Sequence, residues 1–175
     1  MREPSKVVAV LAGSPALSSL LTAVLAATPW LRVRQFDSLV ALSTYMRVTE
    51  VDLVVCDFDC VAAPATVVAR HLRNEDTLRD RRFHILALAG SVTENTRQAS
   101  IASGIDEVIV KPMSPRYLLE RVSSRLRGGV DHVAGGTYHG PERRDRLPVR
   151  AAWLDRIAPG GNVIPLFADR RQPTL

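Results

Sequence analysis

The nine residues Val51-Asp52-Leu53-Val54-Val55-Cys56-Asp57-Phe58-Asp59 decide the fold. A continuous run of apolar, mostly β-branched side chains reads as a strand buried on both faces, and such strands belong to parallel sheets. The run ends in a carboxylate, and open α/β sheets keep their chemistry at the carboxyl ends of their strands. Asp57 is therefore the first candidate functional residue.

On the amino-terminal side, Lys6–Leu11 is a second apolar run, followed by Ala12-Gly13-Ser14-Pro15. Ser14 suits an N-cap and Pro15 the first helical turn, so a helix is predicted over 16–27, its apolar face made by Leu17, Leu20, Leu21, Val24 and Leu25. The alternation in 30–36 predicts a half-buried edge strand, and Asp37-Ser38 opens a helix over Leu39–Val48. After the central strand, Pro64 starts a helix over 64–73, and 74–82 is a charged connection. Residues 83–88 form the fourth strand, and 93–103 a helix stopped by Gly104. Glu107–Val110 is the fifth strand, ending in Lys111-Pro112, and 115–126 is the last helix.

Strands alternating with helices across short connections imply right-handed crossovers and helices on both faces of a parallel sheet. The expected fold is α/β and flavodoxin-like: five parallel strands in the order 2-1-3-4-5, followed by an irregular tail. One domain over 1–126 and an arginine-rich flexible extension over 127–175 suit a chain of 175 residues.

The net charge of +5 is unevenly placed. Residues 1–126 carry 15 basic and 13 acidic groups, whereas 127–175 carry 8 and 5, and all 8 of those bases are arginine. Arginine suits bidentate pairing with phosphate, carboxylate or guanine, although the body also prefers arginine to lysine, 13 to 2. No helix-turn-helix follows the body, so DNA is not the expected partner. Cys56 and Cys60 lack nearby histidines to complete a tetrahedral metal site, and Cys56 reads as core. His71, His84, His132 and His139 are too dispersed for a metal or catalytic set and read as ordinary packing or surface residues. Reduced cysteines and the absence of an apolar amino-terminal segment give a cytoplasmic expectation, and no apolar run approaches the ~18 residues that span a bilayer.

With the strands placed, residues 5–126 resemble the CheY-like receiver domain of two-component response regulators. The resemblance rests on the strand ending in Asp57, the Leu11-Ala12-Gly13-Ser14-Pro15 turn, the Gly104-Ile105-Asp106-Glu107 approach and Lys111-Pro112. It implies a phosphoacceptor-like Asp57 partnered by Lys111, an acidic pair for Mg²⁺ after strand one, and a relay through a hydroxyl and an aromatic side chain. Here the acidic-pair positions hold Ala12 and Gly13, no Asp or Glu occurs between Glu3 and Asp37, and the relay positions fall on Ala89 and Val108. Asp57 alone beside Lys111 is a weak metal site, to which Asp59 adds a carboxylate of open direction, so Mg²⁺ is not expected and Asp57 with Lys111 reads as a partly buried ion pair. The expectation is a degenerate receiver, without catalytic residues or a required cofactor, that offers its fourth-helix, fifth-strand and fifth-helix face to a signalling or motility protein. A phosphoryl-accepting single-domain response regulator is the alternative.

Two islands stand out in the extension, 137–146 and 162–171, with a short amphipathic stretch over 151–157 between them. The first resembles the arginine-rich extension of some alphaproteobacterial CheY-like proteins, a subset of which bind cyclic di-GMP and act on motility machinery. Side-chain chemistry then points to Tyr138, Arg143, Arg144, Asp145, Arg146 and Arg150 as ligand contacts, with Asp145 or Glu142 accepting from the guanine N–H edge. Guanidinium groups suit guanine O6 and N7, base faces and phosphates. Docking of the same segment to a protein, without nucleotide, is the other reading.

Overall fold

The computed structural model describes residues 5–60 and 63–128, and the backbone of 132–135 and 138–141. Alternation begins with β1 (Lys6–Leu11), α1 (Pro15–Ala26), β2 (Leu31–Phe36) and α2 (Leu39–Val48). It continues through β3 (Leu53–Asp57), α3 (Ala65–Asn74), β4 (His84–Ala89), α4 (Glu94–Ser103), β5 (Glu107–Val110) and α5 (Pro115–Arg127). The five strands are parallel and ordered β2-β1-β3-β4-β5, as the sequence predicts.

Strand β3 is central, with Val55 beside Val10 on one neighbour and Leu86 on the other. Its side chains alternate between two cores. Leu53 and Val55 join Leu21 and Leu25 of α1 and Leu118 and Val122 of α5, whereas Val54 and Cys56 join Leu42 and Met46 of α2 and Val68 and Leu72 of α3. Each of these larger apolar side chains, fully buried, contributes about 1.5–3 kcal/mol.

Helix starts follow the expected capping chemistry. Oγ of Ser14 accepts from Leu17 N–H, that of Ser38 from Ala41 N–H, and the Thr93 hydroxyl from Thr96 N–H. Gly104 ends α4 at φ 82°, in the left-handed region that glycine adopts without steric cost. Strand β3 starts at Leu53, two residues later than the apolar run suggests. Asp52 instead turns its carboxylate to the ammonium of Lys6 at 2.8 Å and to Val7 N–H at 2.8 Å, tying β3 to β1.

The amino-terminal ends of β4 and β5 are joined by a buried charge network. Arg73, 4% exposed, donates to Asp106 Oδ2 at 2.7 Å, Phe83 O at 2.8 Å and Gly104 O at 3.1 Å, and stacks on the Phe83 ring. His84 Nδ1 lies 3.3 Å from Asp106 Oδ1, so His84 is a member of a buried polar network, while His71 is exposed. Glu107, also buried, is clamped by Arg121 and Arg125 of α5.

Past α5, β6 (His132–Gly135) and β7 (Tyr138–Pro141) pair antiparallel, and β7 comes against α3 and α4. The sequence predicts only an irregular tail there. No helix among the described residues is long and apolar enough to cross a membrane.

Candidate functional site

The carboxyl ends of β1, β3, β4 and β5 meet at one edge of the sheet, and Asp57 stands at its centre. Parallel register brings this about: Asp57 pairs with Leu88, and Phe58 N–H then donates to Leu88 O at 2.7 Å. Lys111, directly after β5, is fixed beside β4 by its N–H, which donates to Ala89 O at 2.7 Å. Two residues 54 apart in sequence thus face one another.

Asp57 is only 8% exposed, and its Oδ1 accepts from Lys111 Nζ at 2.7 Å and from Asp59 N–H at 3.2 Å. A carboxylate this deep needs such partners, because a buried unpaired charge is expensive. Burial alone would lower the Lys111 pKa; the hydrogen bond and charge of Asp57, then those of Asp59, outweigh it and hold the ammonium above its ordinary range. Cys56, immediately before the acid, is also raised, which for a thiol favours the neutral form. Its burial first, and the Asp57 charge second, raise it to about 12, which leaves it an inert core side chain.

Asp59 completes the constellation. Its Oδ2 lies 3.3 Å from Lys111 Nζ and accepts Gly90 N–H at 2.6 Å. Cys60 points the other way, toward β1, where a β-carbon on Gly13 would lie 2.6 Å from its Sγ. The turn carrying Asp59 and Cys60 therefore lies across the strand ends, seated by glycines after β1 and β4. Ala89 and Val108, both 0% exposed, belong to the apolar core beneath it.

Asp57 and Lys111 are brought together as the sequence reading places them. Tyr138 lies in β7, where the backbone alone is described. Glu142, Arg143, Arg144, Asp145, Arg146 and Arg150 lie outside the described residues, as do both remaining parts of the extension, 151–157 and 162–171. Strand periodicity leaves the direction of Asp59 open and assigns Cys60, Gly13 and Gly90 no shared place. The Asp-x-Asp spacing and the two glycines within two residues of strand ends are the signals that point to them. Among the described residues, no group of three or more His, Cys, Asp or Glu side chains is arranged to hold a metal ion.

A five-stranded parallel sheet in this order, with an acid ending β3 and a lysine following β5, defines a CheY-like receiver fold. The structure is similar to a response regulator from Thermotoga maritima at a TM-score of 0.60 and 21% identity, covering 71% of this chain and 99% of that one. It is similar to the chemotaxis protein CheY4 of Vibrio cholerae at a TM-score of 0.62 and 17% identity, covering 68% and 97%. The signal receiver domain of a histidine kinase from Syntrophus aciditrophicus matches at 0.61 and 19% identity, covering 70% and 90%. In sequence, 100 residues are 34% identical to the cyclic di-GMP phosphodiesterase response regulator RpfG of Xanthomonas campestris pv. campestris, 57% of this chain. The chain spans about a quarter of that relative's length, 26%. No protein-family model matches the chain.

Proposed function

We propose that this chain is a signalling receiver that acts by binding a protein partner and does not turn over a phosphoryl group at Asp57. The observation that carries this reading is the contact between Gly13 and Cys60. Phosphoryl transfer asks for a cation that neutralises the transferring oxygens, and Mg²⁺ asks for several oxygen ligands in near-octahedral array. The two carboxylates present, Asp57 and Asp59, both lie on Lys111, and the space beside Gly13 is taken by a thiol, a poor ligand for a hard cation. This donor set does not fit Mg²⁺.

The positions beyond the acid support the same reading. Ala89 and Val108 offer a methyl and an isopropyl group, with no hydroxyl to follow a new phosphoryl group and no ring to swing. Partner binding falls to the face of α4, β5 and α5. There the Glu107 clamp to Arg121 and Arg125 holds β5 and α5 as one unit. The arginines after residue 127 bind cyclic di-GMP in this account, and the similar protein RpfG is named as a cyclic di-GMP phosphodiesterase response regulator. The proposed location is the cytoplasm, and no cofactor is required.

A phosphoryl-accepting receiver is the second reading. It is favoured by Asp57 ending β3 with Lys111 Nζ at 2.7 Å, an arrangement such a protein also needs. Intact mass after incubation with acetyl phosphate and Mg²⁺ separates the two: unchanged mass supports the adaptor, and one added phosphoryl group supports the acceptor.

A further inference from the structure

We propose that Asp59 is a built-in anion that occupies the site's own oxyanion-binding donors, an inference that rests on the adaptor reading above. Two donors from different strand ends converge on one oxygen: Lys111 Nζ from beyond β5 at 3.3 Å, and Gly90 N–H from beyond β4 at 2.6 Å, both on Asp59 Oδ2. An ammonium and a backbone N–H aimed at one point form the donor set that holds an oxyanion in a preorganised site. Here the oxyanion is supplied by the chain itself, two residues after Asp57.

The local backbone is shaped for this occupant. A β-carbon on Gly90 would lie 3.2 Å from Asp59 Oδ2, tighter than ordinary contact, so the absence of a side chain lets the carboxylate rest on the amide. The same turn seats Cys60 against Gly13, which anchors its other end. Any tetrahedral oxyanion arriving at Lys111 and Gly90 must displace Asp59 and meets its negative charge as well as that of Asp57. The donors are therefore satisfied, and the turn held across the strand ends, without an external phosphoryl donor. Asp59 is the removable part of this arrangement, its side chain being 52% exposed against 11% for Asp57.

The test is a titration of the full chain with inorganic phosphate at constant ionic strength, read from the Gly90 amide and the Lys111 side chain by nuclear magnetic resonance. Wild type is expected to show no saturable shift. Asp59→Ala and the isosteric Asp59→Asn are expected to gain one at both groups, and Asp59→Ala/Lys111→Met to lose it again. Without phosphate, Gly90 amide exchange is expected to quicken by roughly tenfold in Asp59→Ala, the loss of one charge-assisted hydrogen bond. A wild-type response equal to that of Asp59→Ala, no saturable response in either Asp59 variant, or unchanged Gly90 exchange overturns the inference. A phosphoryl adduct on wild-type Asp57 overturns the adaptor reading instead. Unchanged wild-type mass with no phosphate response in the variants overturns the Asp59 inference alone.

Discussion

Sγ of Cys60 lies 2.6 Å from the point where a β-carbon on Gly13 would stand, so the turn after β3 and the turn after β1 share one space. Gly13→Ala must push the thiol aside. The expected loss is about 1–3 kcal/mol for overpacking, reduced by the ~0.4–1 kcal/mol that removing a glycine from the unfolded chain returns. Urea denaturation checks it, and most of the loss is expected to disappear in the Cys60→Ala background. Equal losses in both backgrounds would show that the two residues do not compete.

The network of Arg73, Asp106 and His84 predicts a second contrast. Removing a partner from a buried pair strands the other charge, so Asp106→Ala is expected to cost about 3–5 kcal/mol. Glu120→Ala breaks the exposed pair with Arg116, whose side chains are 60% and 90% exposed, and is expected to stay within about 1 kcal/mol. Chemical denaturation of the two variants measures both. A loss below ~1 kcal/mol for Asp106→Ala would place the stability of the β4–β5 end in apolar packing instead.

The strands and their order are legible because two-sided burial leaves an unmistakable apolar run and glycine, serine and proline mark the turns. Asp57 and Lys111 are legible because each directly follows or ends such a run. What the sequence hides is set by side-chain direction after the strand ends. Asp59 reaches Gly90, 31 residues away, and Cys60 reaches Gly13, through a turn whose conformation no periodicity encodes. The Arg73 network is hidden for a related reason. An arginine at the end of an amphipathic helix reads as solvated until the fold places Asp106 behind it. The β6–β7 pair escapes notice because its strands are four residues each and rich in glycine.

Cys56 gives a pH prediction whose sign follows from its burial. The thiol ordinarily titrates near 9.0 and is raised to about 12 in the folded chain. The folded state thus keeps a proton that the unfolded state releases, so this contribution is whole below about pH 9 and is lost progressively as the pH rises toward 12. Between about pH 8 and about pH 10, wild type is expected to lose about 1 kcal/mol more than Cys56→Ala, measured by urea denaturation at each pH. Parallel losses in the two proteins would show that the buried thiol is not the titrating group.

The arginines of the extension carry the nucleotide prediction. Titration of the full chain with cyclic di-GMP is expected to give saturable heat, and Arg143→Ala/Arg144→Ala/Arg146→Ala to abolish it. Each guanidinium bound in bidentate fashion to a base or phosphate is expected to contribute about 1–3 kcal/mol. Heat retained in the triple variant would move the nucleotide to another surface. No heat in either protein would favour docking to a protein partner without nucleotide.

Asp57 remains the centre of the account, as an acid held by its neighbours in an ion pair. Lys111 holds it at 2.7 Å, Asp59 shares that lysine, and Cys60 fills the space beside Gly13. The most direct measurement is the intact mass of the full chain after incubation with acetyl phosphate and Mg²⁺, with Asp57→Asn as control. The account predicts an unchanged mass for both proteins. A stoichiometric phosphoryl adduct on wild type that is absent from Asp57→Asn would contradict it.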